Sequence, residues 1–350
     1  MFKFLVALLI IVLVFDVVEA GEREIDKEGC AATQTAGDWW RESRPIMGTV
    51  VAVEVQSPQA SACDAITAVM DEMYRIDELM SSWSQSSELS RLNREAPEGF
   101  VTIDEELFAL IERSIDFSRI TDGAFDVTYA SAGRYYDFRA GTRPDDEQLT
   151  RAIDAIDFRH IELDRERHAI RYAHPAVYID LGGIAKGYAV DRAVRILERR
   201  GIEEGMVSAG GDSRIVGDRG GEPWVVGIRN PRAKDDNVAV LPLMDVSVST
   251  SGDYERFFEE GGTRYHHIID PQTGDSARGV RSVTILGEDA TSTDALSTSV
   301  FVLGLERGLA LIDALNGVDA IVVDDAGQLY FSNGLMGMAT ADAVASAEGI

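Results

Sequence analysis

The chain is 350 residues long and 45% hydrophobic, and its 60 acidic residues against 33 basic ones give a formal charge of −27. A surface of that sign repels phosphate backbones and anionic lipid, so a nucleic-acid partner is excluded. With a leader set aside, about 330 residues remain, enough for a full core in one large domain or two intimate ones.

Residues 1–20 read MFKFLVALLIIVLVFDVVEA. The apolar run from Phe4 to Phe15 is too short to span a bilayer comfortably, and small residues precede Gly21 where a signal peptidase cuts. The expectation is a signal peptide over 1–20 and an exported, periplasmic protein; an uncleaved N-terminal anchor holding it to the inner membrane is the alternative. Residues 21–38 are polar and unpatterned and read as a flexible lead, with one domain over 39–340. The two cysteines, Cys30 and Cys63, make neither a disulfide framework nor a metal site.

Met47 to Val55 alternates β-branched with small or polar residues and reads as the first strand. Cys63, Ile66, Val69, Met70, Met73, Ile76 and Met80 recur at helical spacing and predict a long amphipathic helix over 60–80. A serine-rich loop around Trp83 follows, then a short helix near Leu89. Thr102 and Glu105 have capping-box spacing ahead of a helix bearing Leu107, Leu110, Ile111 and Ile115. The turn Asp122-Gly123 leads into Ala124, Phe125 and Asp126.

A short helix is predicted over 147–156, and strands over 161–163, 170–172 and 177–179. The last runs into YIDLGGIAKGYAVDR, residues 178–192. There an apolar run ends at Asp180, passes through Gly182 and Gly183 and becomes a helix carrying Lys186. The first turn of a helix leaves N–H groups unpaired at the positive end of its dipole, so this order can seat a phosphate. A tight strand-to-helix connection with Lys186 in solvent is the plainer reading of the same residues.

Strands are predicted over 206–209, 213–217, 224–228 and 238–250, then 254–258 and 263–266 around the turn at 259–262. The segment HHIIDPQTG, 266–274, places His267 at the edge of a rigid turn, where an imidazole is a candidate general base; a satisfied strand histidine is the plainer reading of the same residue. In DATSTDALSTSVFVLG, from Asp289, the Asp294 carboxylate and Thr298 hydroxyl share one helical face and offer hard oxygens suited to magnesium; helix capping by Asp and Thr competes with that. Strands near 320–323 and 329–331 close the chain.

Together, MGT, the serine-rich loop with an aromatic, DGAFDVT, IDLGGIAKGYAVD, SAGGD, HHIIDPQTG and DATSTDALSTSVFVLG resemble, in order, the ApbE family of FAD:protein FMN transferases. The resemblance covers about residues 45–331. It implies an α/β (α+β) domain related to the T-fold, with FAD as substrate in a central cleft and Mg2+ on the pyrophosphate.

It further implies Met47, Trp83, Ala124, Phe125, Asp126, Asp180, Lys186 and Ile269 at the FAD site. Asp294, Thr298 and the Gly183 carbonyl become metal ligands, and His267 the base. The implied partner is an exported or membrane-bound flavin acceptor that receives FMN on a Ser or Thr as AMP departs. A magnesium-dependent FAD pyrophosphatase and a non-catalytic flavin-binding protein are the alternatives. Residues 129–141, YASAGRYYDFRAG, depart from the family pattern, which leaves their contacts open.

Overall fold

The computed structural model describes residues 31–336. The expected signal peptide, most of the lead and residues 337–340 of the expected domain lie outside them. Order begins earlier than Trp39, because β1 (Thr33–Ala36) pairs antiparallel with β2 (Trp39–Ile46). β2 turns through Met47-Gly48 into β3 (Thr49–Gln56).

Helix α1 (Gln59–Met80) buries Ala62, Ala65, Ile66, Val69, Met70, Met73, Ile76 and Met80, the stripe that the spacing predicts. Each large apolar side chain so buried contributes roughly 1.5–3 kcal/mol. Cys63, on the same helix, is disulfide-bonded, against the expectation that the cysteines make no disulfide framework.

The short helix α2 (Glu88–Glu95), the strand β4 (Val101–Thr102) and α3 (Glu105–Ile120) come next. The cap of α3 differs from the expected Thr102–Glu105 box. Asp104 takes the Glu106 N–H instead, because Thr102 is tied into the ladder of β4. Beyond α4 (Ala130–Gly133), α5 (Asp146–Ile153) carries a reciprocal capping box between Asp145 and Gln148. β5 (Ile161–Asp164) and β6 (Ala169–Tyr172) join β4 in a small sheet of order β4-β6-β5.

Residues 177–179 form no strand. Asn93 stands in for a strand partner: its Nδ2 donates to the Ile179 carbonyl and its Oδ1 accepts the Ile179 N–H, both at 2.8 Å. Tyr178 N–H goes to Ser131 Oγ at 3.0 Å and Asp180 N–H to the Val127 carbonyl at 3.0 Å. The backbone polar groups are thus satisfied without a ladder.

α6 (Ala185–Arg199) follows the glycine turn, and then come β7 (Gly205–Ala209), β8 (Asp212–Val216), β9 (Trp224–Asn230), β10 (Ala233–Leu243) and β11 (Ser247–Gly252). The run predicted as one strand over 238–250 is therefore two. Asp245 between them has φ of 46° and accepts the Gly217 N–H at 2.7 Å, and there the chain leaves the β9–β10 hairpin for the main sheet. The strand expected over 254–258 starts later, as β12 (Phe257–Glu260), paired with β13 (Thr263–His266). β14 (Val280–Gly287), α7 (Ala290–Ala314), β15 (Val318–Asp324) and β16 (Leu329–Phe331) complete the fold.

The main sheet has nine strands in the order β1-β2-β3-β7-β8-β11-β14-β15-β16, antiparallel throughout. α1, α6 and α7 form a layer on one face. The β9–β10 hairpin covers part of the other, where Ile228 packs with Val248, Leu286 and Ile321. This is the mixed α+β architecture expected. α7 is long and apolar enough to cross a membrane, yet it lies on the sheet against β11, β14 and α6.

Candidate functional site

The site forms where the N-termini of α6 and α7 meet the ends of β8 and β11. Two carboxylates hold the start of α7. Asp289 caps it by accepting the Ser292 N–H at 2.9 Å. From α6, Asp191 accepts the N–H groups of Ala290 and Thr291 at 2.8 and 2.9 Å. With the helix end satisfied this way, Asp294 and Thr298 are not needed as caps.

Asp294 is 2% exposed. Its carboxylate accepts the Gly187 N–H at 3.0 Å and lies 3.3 Å from Lys186 Nζ, which in turn is 2.9 Å from Asp212. Burial and the Asp212 carboxylate push the Asp294 carboxyl up from its ordinary value, against Lys186 and the Gly187 amide. Lys186 is driven the other way: burial alone would lower its ammonium, but Asp212 and Asp294 raise it. Two acids share one ammonium here, so the cluster is short of positive charge.

Hydroxyls join α7 to β11. Ser249 bonds Thr293 at 2.8 Å, and Ser251 lies 2.8 Å from Ser297 and 3.3 Å from Thr298. The pairing works because two strand residues rise about 6.6 Å and four helical residues about 6 Å. Opposite Thr298 is Gly183. A Cβ there would lie 3.2 Å from the Phe125 ring and 3.3 Å from Thr298 Oγ1, so glycine leaves that space open.

The donor set of Asp294 carboxylate, Thr298 hydroxyl and Gly183 carbonyl is all hard oxygen, as magnesium requires. Among the described residues no group of three or more His, Cys, Asp or Glu is placed to hold a metal. A cation at this point would therefore draw on the hydroxyl and the carbonyl as well as the acid. The under-compensated carboxylate and the open space at Gly183 fit such an ion.

Asp180 anchors the other side. It accepts Tyr129 Oη at 2.7 Å, the Gly182 N–H at 2.7 Å and the Ser82 hydroxyl. Burial, and then Asp180 itself, raises the Tyr129 phenol well above its ordinary value, so it stays a neutral donor. Trp83, beside Ser82, is 78% exposed. Met47 has φ of 56° and Gly48 of 68°, a two-residue hairpin turn with both φ positive, and the Met47 N–H is pinned by Asp77 at 3.1 Å. Such strain in a non-glycine residue persists only where neighbours impose it.

His267 is the distinctive group. Its Nδ1 is buried without a hydrogen-bond partner. Burial first, then the charges of Arg256, His266 and Lys186, push its pKa down to about 3. It is a neutral imidazole whose buried Nδ1 is left without a partner.

The fold thus brings together Met47, Phe125, Asp180, Gly183, Lys186, His267, Asp294 and Thr298. Ala124 and Ile269 are buried and can only serve as wall. The Asp126 carboxylate is engaged within the fold. Its Oδ1 accepts the Thr128 N–H and hydroxyl at 2.8 and 2.6 Å, and its Oδ2 the Phe158 N–H at 2.7 Å, so it ties two loops together. Sequence reasoning missed Ser82, Tyr129 and Asp212 as site residues, although the serine-rich loop, the 129–141 stretch and the SAGGD turn contain them.

The ApbE family model matches residues 47–322. The chain belongs to the ApbE family. A FAD:protein FMN transferase of Treponema pallidum is 35% identical over 298 residues, 79% of this chain and 82% of that protein. One from Vibrio cholerae is 33% identical over 83% of this chain and 90% of its own length. Among solved structures, the ApbE protein of Thermotoga maritima superposes with a TM-score of 0.79 at 36% identity, covering 85% of this chain and 98% of that one. The flavin transferase ApbE from Vibrio cholerae gives 0.75 at 31%, over 84% and 97%. The ApbE fold is therefore present nearly whole.

Proposed function

We propose that the protein transfers FMN from FAD to a Ser or Thr hydroxyl of an acceptor protein, depends on magnesium, and releases AMP. The carrying observation is the neutral His267, whose buried Nδ1 has no hydrogen-bond partner and whose pKa is held down by burial and by the charges of Arg256, His266 and Lys186. Family membership and the flavin-transferase names of the relatives support the reaction class.

In this reading the acceptor hydroxyl attacks the phosphorus on the flavin side of the pyrophosphate, the bond to the AMP oxygen breaks, and the hydroxyl proton goes to His267. Approach of the anionic pyrophosphate raises the imidazole pKa from its low resting value and makes it a better acceptor. Asp294, Thr298 and the Gly183 carbonyl would hold the magnesium, whose charge stabilises that developing on the phosphate oxygens. Asp180, fixed by Tyr129 and Ser82, orients the flavin half, and Trp83 offers an exposed ring for stacking.

The leader over 1–20 supports an exported, periplasmic enzyme, held at or released from the inner membrane, with a membrane-bound or exported flavoprotein as acceptor. The test is to incubate the mature protein with FAD, magnesium and an acceptor domain and to weigh the acceptor by mass spectrometry. A magnesium-dependent FMN adduct is expected. Free FMN and AMP with no adduct would replace transfer by hydrolysis.

A further inference from the structure

The stretch 129–141, whose contacts the family resemblance leaves open, lies along the edge of the site. Tyr129, at its start, donates to Asp180 at 2.7 Å. At the end of α4, a Cβ on Gly133 would lie 3.1 Å from the Tyr129 ring and 3.9 Å from Ile269 Cγ1, so the helix runs past both at close range. Arg134 follows at this rim and is solvent-exposed.

The Arg134 guanidinium lies over two rings, 5.1 Å from the centroid of Tyr135 and 5.0 Å from that of Tyr178. Its Nη2 stands 3.2 Å from the Tyr135 hydroxyl. Tyr178 is itself anchored, because its hydroxyl donates to the Ser82 carbonyl at 3.1 Å, next to Trp83. The rings hold the guanidinium in place and leave its charge uncompensated. No carboxylate among the described residues pairs with it, in a chain with 60 acidic residues.

Arg134 and Tyr135 border a cavity of about 270 Å³, with Gln148, Arg151, Ala152 and Ala176 as its other walls. Arg151 meets Glu147 at 3.3 Å, but these side chains are 69% and 79% exposed. An ion pair so exposed is weak, and Arg151 can turn to a second carboxylate at little cost. Gln148 Oε1 accepts the Asp145 N–H at 2.9 Å, which leaves the amide nitrogen to donate. The cavity is thus locally positive on a chain of formal charge −27. It is smaller than the roughly 300–1,000 Å³ of small-molecule sites and fits one carboxylate-bearing side chain.

We propose that this cavity docks a carboxylate side chain of the acceptor protein, with Arg134 as the principal contact. The proposal rests on the transfer reading of the site, in which an acceptor hydroxyl has to pass the rim at α4, Ile269 and Trp83 to reach the pyrophosphate. A guanidinium already set against two rings loses little freedom on pairing and offers a carboxylate two parallel hydrogen bonds. On an acidic enzyme, one positive cavity beside the entrance also fixes the register in which an acceptor approaches. The structural alternative is that Arg134 only braces Tyr178.

Labelling kinetics in a double-mutant cycle separate the two. The enzymes are wild type and Arg134→Ala. The substrates are one flavin-acceptor domain with Asp or Glu on the face bearing the labelled hydroxyl, and the same domain with those residues changed to Asn and Gln. Loss of a charge-assisted contact predicts an acceptor KM raised at least about tenfold by Arg134→Ala on the unaltered domain, with maximal rate and FAD affinity within about twofold of wild type. On the neutralised domain the wild-type KM should rise similarly, and Arg134→Ala should add no more than about twofold. Arg134→Lys should recover part of the loss. An unchanged KM in Arg134→Ala overturns the proposal, and so does an equal loss with both domains, which would give Arg134 to a free anion or to the support of Tyr178. Wild type that binds FAD yet labels neither domain sinks the transfer reading and acceptor docking with it, whereas labelling that Arg134→Ala performs as well as wild type sinks docking alone.

Discussion

Gly187 of α6 gives its backbone N–H to the carboxylate of Asp294 on α7 at 3.0 Å. The contact exists because the two helices cross at a residue with no side chain. It fixes the carboxylate that the family resemblance assigns to metal.

Gly187→Ala tests that crossing. A Cβ at this position would lie 2.0 Å from the Ala290 carbonyl oxygen and 2.8 Å from Asp294 Cβ. Backbone cannot yield as a flexible side chain does, so the helices must separate. A destabilisation of at least about 3 kcal/mol is expected in urea or thermal unfolding, with loss of magnesium-dependent turnover in whatever folds. A variant as stable as wild type would show that α6 and α7 pack less closely than described.

Asp294→Ala should abolish acceptor labelling at any magnesium concentration, and Thr298→Ala should raise the magnesium needed for half-maximal rate. Both are read from the mass-shifted acceptor across a metal titration. Thr298→Ala matching wild type throughout would remove the hydroxyl from the ligand set.

His267→Ala should slow transfer by roughly 10²–10⁴-fold, the range of a positioned general base, while FAD still binds. Single-turnover labelling with FAD saturating isolates the step. Wild-type rates in the variant would place proton transfer elsewhere.

His266 predicts an acid limit to stability. It is 3% exposed, with Nε2 2.9 Å from the Ala277 carbonyl. Burial lowers its pKa from 6.5 to about 4. Between those values the unfolded chain binds the proton and the folded one does not. The stability this neutral ring contributes is therefore complete above pH 6.5 and lost as pH falls towards 4, by up to ~3 kcal/mol. Urea unfolding of wild type and His266→Gln at pH 7 and pH 4.5 checks this, since the variant should lose less on acidification. Equal losses would assign the acid sensitivity to other groups.

Asn93→Ala should cost about 2–4 kcal/mol, because it leaves the Ile179 N–H and carbonyl and the Tyr172 hydroxyl without a partner in the interior. It should also loosen Asp180, the next residue, and weaken FAD binding. Wild-type flavin affinity in a destabilised variant would separate the two effects.

Much of this was legible before any coordinates. The buried stripe of α1 follows from a 3.6-residue period, and Asp294 and Thr298 lie four residues apart, so helix geometry alone puts them on one face. The motif order sufficed for family and fold class, and it named His267, Gly183 and Lys186. What these have in common is that each depends on neighbours within a few residues along the chain.

Only the tertiary structure decided the rest. That residues 177–179 pair with an Asn side chain 86 residues away, that 238–250 divides between two sheets at Asp245, and that Asp126 holds the Phe158 N–H all depend on partners distant in sequence. So do the pairing of Lys186 with Asp212 and the seating of Arg134 against Tyr178. Local periodicity carries no record of which distant polar group will meet which. In this protein those meetings determine which carboxylates and cations are already engaged and which face the substrate.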